Sequence, residues 1–427
     1  MNASQEYIEI MAPAGSYDSL MAAINAGADS VYFGVGKLNM RSRSSMNFGP
    51  EDLEKITAIC RGNHVRSYLT LNTVIYDEEI EEMQRTADAA KESGISAVIA
   101  SDQAVIDYCR KIGMEVHLST QVNISNTGSL KFYSNYADVA VLARELNLEQ
   151  IAEISENIEK QDIRGPSGGL MQIEIFVHGA MCMSISGKCY LSLHEHNKSA
   201  NRGACLQTCR RRYPEIQAVP ADYKYITKED QYGFELEIDN EYIMSPKDLC
   251  TIDFLDKIIE SGVSVLKIEG RGRSPDYVKT VVSTYKQAVN AIYEGNYTRE
   301  NIEKWKSKLA EVFNRGFWDG YYLGRRLGEW SGQYGSKATK RKIQLGKATN
   351  YYSKIEVASF MIESGELEIG DRILVTGPTT GAMESEIKEL RVDDKNAEKA
   401  VKGDEVSFPL DFTVRTSDKL FKIVDRK

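Results

Sequence analysis

The sequence predicts an α/β protein: a TIM-type (β/α)8 barrel with a cysteine-rich insertion after its seventh strand, followed by a small C-terminal β-barrel. Three observations carry this expectation. Short apolar runs alternate with amphipathic helical patterns eight times from the N-terminus, which is the signature of βα units around a parallel sheet. The alternation stops between about residues 180 and 245, where Cys, Gly, His, Asn and Arg take over. From residue 343 onward the pattern becomes short strand-like segments separated by turns, the spacing of a small barrel.

Taken in order, the barrel strands are expected at Ile8–Ala12, Ser30–Phe33, Ser67–Asn72, Ala97–Ala100, Glu115–Ser119, Val139–Leu142, Ile173–Val177 and Val263–Ile268. Helices follow them, such as Asp77–Ser93 and Pro275–Tyr293. The first domain spans residues 1–295. Residues 296–342 form a connector, with the charged helix Glu300–Phe313 leading into NRGFWDGYYLGRRLGEWSG. Its aromatics Phe317, Trp318, Tyr321 and Tyr322 read as cement between domains in preference to a stacking surface for bases. Residues 343–427 form the small β-barrel, with turns at Gly370–Asp371 and Gly377–Pro378.

Composition narrows the function. The 427 residues exceed one ordinary core, and 42% hydrophobic with 27% charged residues is the balance of a folded globular chain. No basic leader followed by an apolar run opens the chain, and no stretch approaches the roughly 18 apolar residues that span a bilayer, so a cytoplasmic protein with no membrane partner is expected. A formal net charge of -9 argues against a general nucleic-acid binder. Local basic stretches remain: Arg202 with Arg210, Arg211 and Arg212, and Lys337 with Lys340, Arg341 and Lys342.

Seven cysteines in a reducing compartment point to metal ligation or catalysis, not to disulfides, and four of them are concentrated in the insertion. HGAMCMSISGKCYLS and NRGACLQTC place six residues between Cys182 and Cys189, fifteen between Cys189 and Cys205, and three between Cys205 and Cys209. Four thiolates suit tetrahedral zinc or an iron–sulfur cluster, and softness alone does not separate them. Zinc knuckles usually pair ligands two to four residues apart, so the wide first gap favours a cluster. Gly179, Gly187 and Gly203 would let backbone N–H groups approach its sulfides. Cys60 and Cys109 fall in helical patterns and read as core. Cys250, at the start of the helix before the eighth strand, reads first as packing and second as an alternative fourth ligand.

The run from Glu174 to Ser192 resembles the signature of the peptidase U32 family. MAPAGSYDSLMAAINAGADSVYFG, STQVNISN, SPKDL and KIEGRGRSPDYV are similar to its other shared blocks, and FNRGFWDGYYLG and the tail are similar to its linker and C-terminal domain. The resemblance covers nearly the whole chain. Although the family is named for collagenase-like peptidases, it implies an oxygen-independent hydroxylase carrying a [4Fe–4S] cluster and acting on tRNA, ribosomal RNA or quinone precursors. The tRNA branch, which the chain resembles most in length and in a C-terminal domain similar to translation-factor domain 2, forms 5-hydroxyuridine at the wobble position. Its hydroxyl donor is prephenate, the co-substrate implied here. The resemblance assigns the cluster to Cys182, Cys189, Cys205 and Cys209, with Cys250 as alternative to the last. An electron-transfer partner follows if the cluster carries electrons.

A protease would need its own machinery. HExxH is missing, GPSGG at 165–169 stands ahead of the expected strand Ile173–Val177 and so makes no strand-to-helix nucleophile elbow, and His194-Glu195-His196 cannot put two imidazoles on one helical face. Other polar residues fall where barrel strands end, the usual place for substrate contacts. Arg41 and Asn47 follow the second strand, Asn72 ends the third, Gln121 follows the fifth and Arg144 the sixth. His178 ends the seventh, and Glu269 with Arg271 ends the eighth. His178 and Glu269 are the candidate acid–base residues, while His117 reads as scaffold. For the two carboxylates of a prephenate-like donor, Arg41, Arg144 and Arg271 are candidates, with Lys247 behind them and structural ion pairing as the competing reading. Arg210–Arg212 and the second barrel are expected to grip phosphates.

Overall fold

Apolar strands alternate with capped helices in the computed structural model, which describes residues 7–43, 48–212, 242, 244–324 and 329–426. Seven strands, β1 (Glu9–Pro13), β2 (Ser30–Gly34), β3 (Arg66–Leu71), β4 (Ala97–Ala100), β5 (Val116–Leu118), β6 (Val139–Val141) and β7 (Gln172–Ala180), pair in parallel in sequence order. A short strand, β8 (Asp248–Cys250), stays outside the ring, and β9 (Val265–Ile268) closes it by pairing in parallel with β7 and β1. The result is a closed eight-stranded TIM barrel. β2 and β4 are buried along their whole length, because barrel interior lies on one face and helices on the other.

The helices are α1 (Tyr17–Asn25), α2 (Leu53–Gly62), α3 (Ile80–Glu92), α4 (Gln103–Lys111), α5 (Thr127–Tyr133), α6 (Leu148–Lys160), α7 (Leu191–His196), α8 (Leu255–Glu260), α9 (Pro275–Tyr293) and α10 (Arg299–Glu311). Their starts are written in the sequence. Ser16, Asp102 and Asn126 accept backbone N–H groups at the first turns of α1, α4 and α5, and Asn147 with Gln150 forms a reciprocal box on α6. Cys60 on α2 and Cys109 on α4 pack in the core, where burial pushes both thiols up to about 12.

Two features depart from the sequence reading. Cys250 does not begin a helix: Asp248–Cys250 runs antiparallel to the end of β7, pairing His178 with Cys250. The connector also contributes a strand to the sheet, since Phe317–Trp318 forms β10 in parallel with β8. Trp318 and Tyr322 are buried against the barrel, and the Tyr322 hydroxyl donates to the Phe176 carbonyl at 2.7 Å. These aromatics therefore cement, as expected, but onto the barrel itself. At the bulge between Phe176 and His178 the Val177 carbonyl accepts from Thr251 and Tyr285.

The C-terminal region contains β11 (Lys340–Tyr352), β12 (Val357–Ile362), β13 (Glu366–Glu368), β14 (Arg372–Gly377), β15 (Gly381–Glu386), β16 (Arg391–Val392), β17 (Lys395–Asn396), β18 (Lys399–Val401), β19 (Glu405–Pro409) and β20 (Lys419–Asp425). Eight of these form one antiparallel sheet in the order β15-β14-β20-β11-β12-β19-β16-β17, and β13 pairs with β18. It surrounds its own core, which includes Phe360 stacked on Phe408 at 5.1 Å. It docks on the barrel where Ala22 of α1 meets Leu374 and Ala382, with Arg372 reaching Glu311 at 2.8 Å. Gly381 sits there at φ +75°, and a Cβ would lie 2.8 Å from the Ala22 backbone nitrogen. Among the described residues no helix is long and apolar enough to cross a membrane.

Candidate functional site

The C-terminal ends of the barrel strands and the cysteine-rich insertion enclose a cavity of about 260 Å3. Arg41, Asn72, Gln121, Arg144, Glu269 and Arg271 line it, as do all four insertion cysteines. Sequence position alone thus brought ten of the expected residues to one place. Asn47 lies outside the described residues.

Each thiol arrives from a different turn of the insertion. Cys182 follows the end of β7, Cys189 precedes α7, and Cys205 and Cys209 follow the tight turn at Gly203. Gly203 has φ +73°, and a Cβ would stand 2.4 Å from the Asn39 carbonyl, so only glycine lets the insertion press against the loop after β2. Burial pushes the Cys209 thiol up to about 11, with Cys182, Cys205 and Cys189 adding to it and Arg210 opposing. Burial likewise raises Cys189, again with two neighbouring cysteines contributing. Four thiols gathered at one end of the cavity can all be thiolates together only around a cationic group, so the donor set fits a thiolate-bound metal centre. Among the described residues no three His, Cys, Asp or Glu side chains already stand where they could hold a metal ion. The thiols are gathered, not chelating.

Arg210 shapes this loop. Its buried guanidinium donates to the Met181 carbonyl at 2.6 Å, to the Ser245 hydroxyl at 3.1 Å and to the Pro246 carbonyl. Burial, with Arg315 nearby, lowers it to about 10. The expected phosphate grip at Arg210–Arg212 is therefore corrected for Arg210, which is an internal strut, and Arg211 pairs with Glu195 at 3.2 Å. Arg202 is likewise committed, to Glu79 and over the Tyr76 ring.

Across the cavity, Arg41 donates to Glu269 through Nε at 3.2 Å and Nη2 at 2.6 Å. Burial alone would raise Glu269, but Arg41, then Arg271 and Arg144, outweigh it and hold the carboxyl below its usual range. Arg271 is different. Its Nη1 donates to Thr70 Oγ1 at 2.7 Å and Asn39 Oδ1 at 3.2 Å, while its buried Nε makes no hydrogen bond. Burial lowers it to about 10. Arg144 donates to Ser186 at 3.1 Å. Among the described residues neither Arg271 nor Arg144 has a carboxylate within ion-pair distance, so of the three arginines structural pairing accounts for Arg41 alone. Asn72 bridges the Met40 N–H and the Ser119 hydroxyl, and Gln121 accepts from Ser119, so both also brace the rim.

Three candidates are not in this cavity. His178 is 1% exposed and ringed by Tyr277, Tyr285 and Phe317; burial, helped by Arg273, drives it down to about 3, which makes it a neutral packing residue. Lys247 points elsewhere and pairs with Glu329. Cys250 sits on β8 in the same buried layer as His178, and burial pushes its thiol up to about 12. The register shifts between Phe176 and His178, and His178 pairs there with Cys250 of β8, outside the ring, while Ala180 beyond it returns to line the cavity.

Sequence reasoning missed Asn39, Lys267, Arg273 and Arg315. Asn39 is wholly buried, and its Oδ1 accepts from the Arg41 N–H at 3.1 Å as well as from Arg271. Lys267 and Arg315 had a signal, a cation within an apolar or aromatic run. Among the described residues, six arginines, one lysine and one carboxylate line the cavity.

The family model for peptidase family U32 matches residues 15–332. A Porphyromonas gingivalis protein named collagenase is 57% identical over 419 residues, 98% of each chain. A Bacillus subtilis protein named tRNA hydroxylation protein P1 is 31% identical over 374 residues, covering 87% of this chain and 83% of its own. A 23S rRNA 5-hydroxycytidine synthase of Escherichia coli is 31% identical over 336 residues, covering 77% of this chain and 47% of its own.

Proposed function

The chain belongs to the peptidase U32 family, and from that premise we propose that it is an oxygen-independent RNA hydroxylase forming 5-hydroxyuridine at the tRNA wobble position. A prephenate-like dicarboxylate would supply the hydroxyl group. The observation that carries this reading is the cavity, which sets four cysteines opposite two arginines, the buried Arg271 and the half-buried Arg144, without carboxylate partners among the described residues.

In this reading Cys182, Cys189, Cys205 and Cys209 hold a [4Fe–4S] cluster. When bound, such a cluster supplies electron transfer or Lewis acidity beside the substrate. Arg271 and Arg144 bind the donor's carboxylates, Arg271 through the Nε–H that the protein leaves unused. Glu269, kept ionised by Arg41, accepts a proton or stabilises developing positive charge; it does not act as an acid at neutral pH. The target base must leave any stack to reach so enclosed a pocket.

The identity to a protein named collagenase keeps peptidase activity as a second reading. It lacks a nucleophile with a base in this cavity: of the five histidines, none lines it, and Ser119 and Ser186 there meet only Gln, Asn, Thr and Arg partners. The test is deletion of the gene followed by nucleoside analysis of total tRNA. Loss of 5-hydroxyuridine, restored by the wild-type chain but not by a Cys182→Ala chain, is expected. Unchanged 5-hydroxyuridine, with gelatin hydrolysis by the purified protein, would replace this reading with the peptidase.

A further inference from the structure

Beneath the cavity the barrel interior is not filled by apolar layers alone. Lys267 of β9 belongs to the cavity floor, its Nζ 2.6 Å from Glu174 Oε1 on β7 and 4.6 Å from the centre of the Tyr32 ring. Glu174 is wholly buried, and its Oε2 lies 3.8 Å from Nδ1 of His117 on β5. Neither of those two atoms makes a hydrogen bond. His117 Nε2 is 3.0 Å from Glu115 Oε1, and Glu115 meets Arg66 at 2.9 Å. Glu115 stands just before β5 and Arg66 opens β3, so both mark the N-terminal end of the barrel, opposite the cavity. Their side chains are 33% and 43% exposed.

Four ionisable groups thus form a file through the full depth of the barrel. Burying such charges costs several kcal/mol each, and apolar layers fill a barrel interior without that cost. Every junction along the file is at hydrogen-bond distance except one, and there two bare polar atoms face each other. The groups around His117 are Glu115 on its own segment, Glu174 from β7 and the Tyr68 ring from β3 at 4.6 Å. Lys267 lies behind Glu174, and Arg66 and Glu9 lie behind Tyr68. The flanking strands β4 and β6 are wholly apolar. Burial works against a charged imidazole, yet the two carboxylates hold its proton more firmly than water does.

We propose that Lys267, Glu174, His117 and Glu115 form a proton path linking the cavity to solvent at the far end of the barrel. When a reaction in the cavity takes a proton from Lys267 Nζ, the amine is recharged from Glu174, which takes the Nδ1 proton of His117 as the 3.8 Å gap closes. The imidazole regains a proton through Glu115 from bulk water, and rotation of the ring restores the starting tautomer. Each step breaks one N–H or O–H bond and forms another. No electrons move, and the sum is one proton carried from water to the cavity. The path serves any proton-consuming chemistry in the cavity and does not rest on the RNA reading.

The test follows the ring N–H protons of His117 by NMR in 15N-histidine-labelled, anaerobically purified protein, using His117→Asn for assignment. Exchange with water should slow at least tenfold in Glu115→Gln and change less than twofold in Lys267→Met, because solvent reaches the imidazole from the Glu115 end. The His117 titration midpoint should also fall in Glu115→Gln. Glu115→Asp, which keeps the charge but shortens the reach, should slow exchange to an intermediate degree and guards against a folding defect in the amide variant. Exchange unaffected by both Glu115 substitutions, or slowed by Lys267→Met instead, overturns the path and leaves the file as ion pairing between strands.

Discussion

Replacing Glu269 by Gln tests whether the one carboxylate lining the cavity among the described residues exists to hold its arginines. The residue accepts two N–H groups from Arg41, at 3.2 and 2.6 Å, and a longer contact from the Tyr32 hydroxyl at 3.4 Å. A charge-assisted hydrogen bond contributes about 1.5–3 kcal/mol, and removing one partner of a fully buried pair costs about 3–5 kcal/mol. Gln keeps one carbonyl acceptor, and the Arg41 side chain is 30% exposed, so water softens the loss. About 2 kcal/mol of destabilisation at pH 7 is expected. The pH dependence fixes the cause. Because the folded carboxyl titrates below its unfolded value, its contribution is complete above the unfolded value of about 4.3 and is lost as pH falls through the lower, folded one. Urea unfolding followed by circular dichroism at pH 7 and pH 4 should show the gap between wild type and Glu269→Gln narrowing in acid. An equal gap at both pH values, or a variant as stable as wild type at pH 7, would refute the reasoning.

Single Ala substitutions at Cys182, Cys189, Cys205 and Cys209 should each abolish bound iron and visible absorbance in anaerobic preparations, whereas Cys250→Ala should retain both and lose about 1 kcal/mol of stability from the small void it leaves. A colourless wild-type protein with one zinc would remove the cluster from the proposal. Gly381→Ala, which puts a Cβ at φ +75° against the α1 backbone, should cost about 2 kcal/mol and expose the seam between barrel and β domain to protease, measured by limited proteolysis. His178→Gln should leave the pH profile of the proposed tRNA hydroxylation unshifted, because the native imidazole, lowered to about 3, does not change charge between pH 5 and 9. A displaced limb in that profile would return His178 to the chemistry.

The parts legible in the sequence were those set by local periodicity. Eight alternations of apolar strand and amphipathic helix specify a barrel because each strand is buried on both faces, and residues just after strands then converge at one mouth whatever the loops do. Arg41, Arg144, Glu269 and Arg271 were found on that basis. What failed depended on a non-local event. Nothing in QIEIFVHGA announces that the strand bulges between Phe176 and His178 and accepts β8 as a partner, yet that pairing sets His178 against Cys250 outside the cavity, and Lys247 turns to Glu329. The glycines and arginines of the insertion were equally ambiguous. Arg210 and Arg211 are neighbours in a basic run, but one is a buried strut and the other a surface partner of Glu195. The file beneath the cavity was visible only as an oddity, single charges in the apolar runs QIEIFV and VSVLKI, whose meaning needs the two strands side by side.

Net charge misled in a related way. A formal charge of -9 suggests a chain that repels polyanions, yet among the described residues six arginines and a lysine line the cavity. Arg41, Lys267 and Arg315 pair with Glu269, Glu174 and Asp248, whereas Arg144, Arg210, Arg271 and Arg273 have no carboxylate at ion-pair distance among the described residues. Such a concentration is costly without counter-charge, and burial already lowers Arg210, Arg271 and Arg273. A thiolate-bound [4Fe–4S] cluster carries about two negative charges and a dicarboxylate donor about two more, which is the balance these cations lack. On that account the arginines and cysteines are one electrostatic unit, and removing the cysteines should raise the affinity of the pocket for small anions. Calorimetry with malonate on wild-type and Cys182→Ser protein measures this directly. Equal affinities would mean that the two sets of residues serve separate purposes.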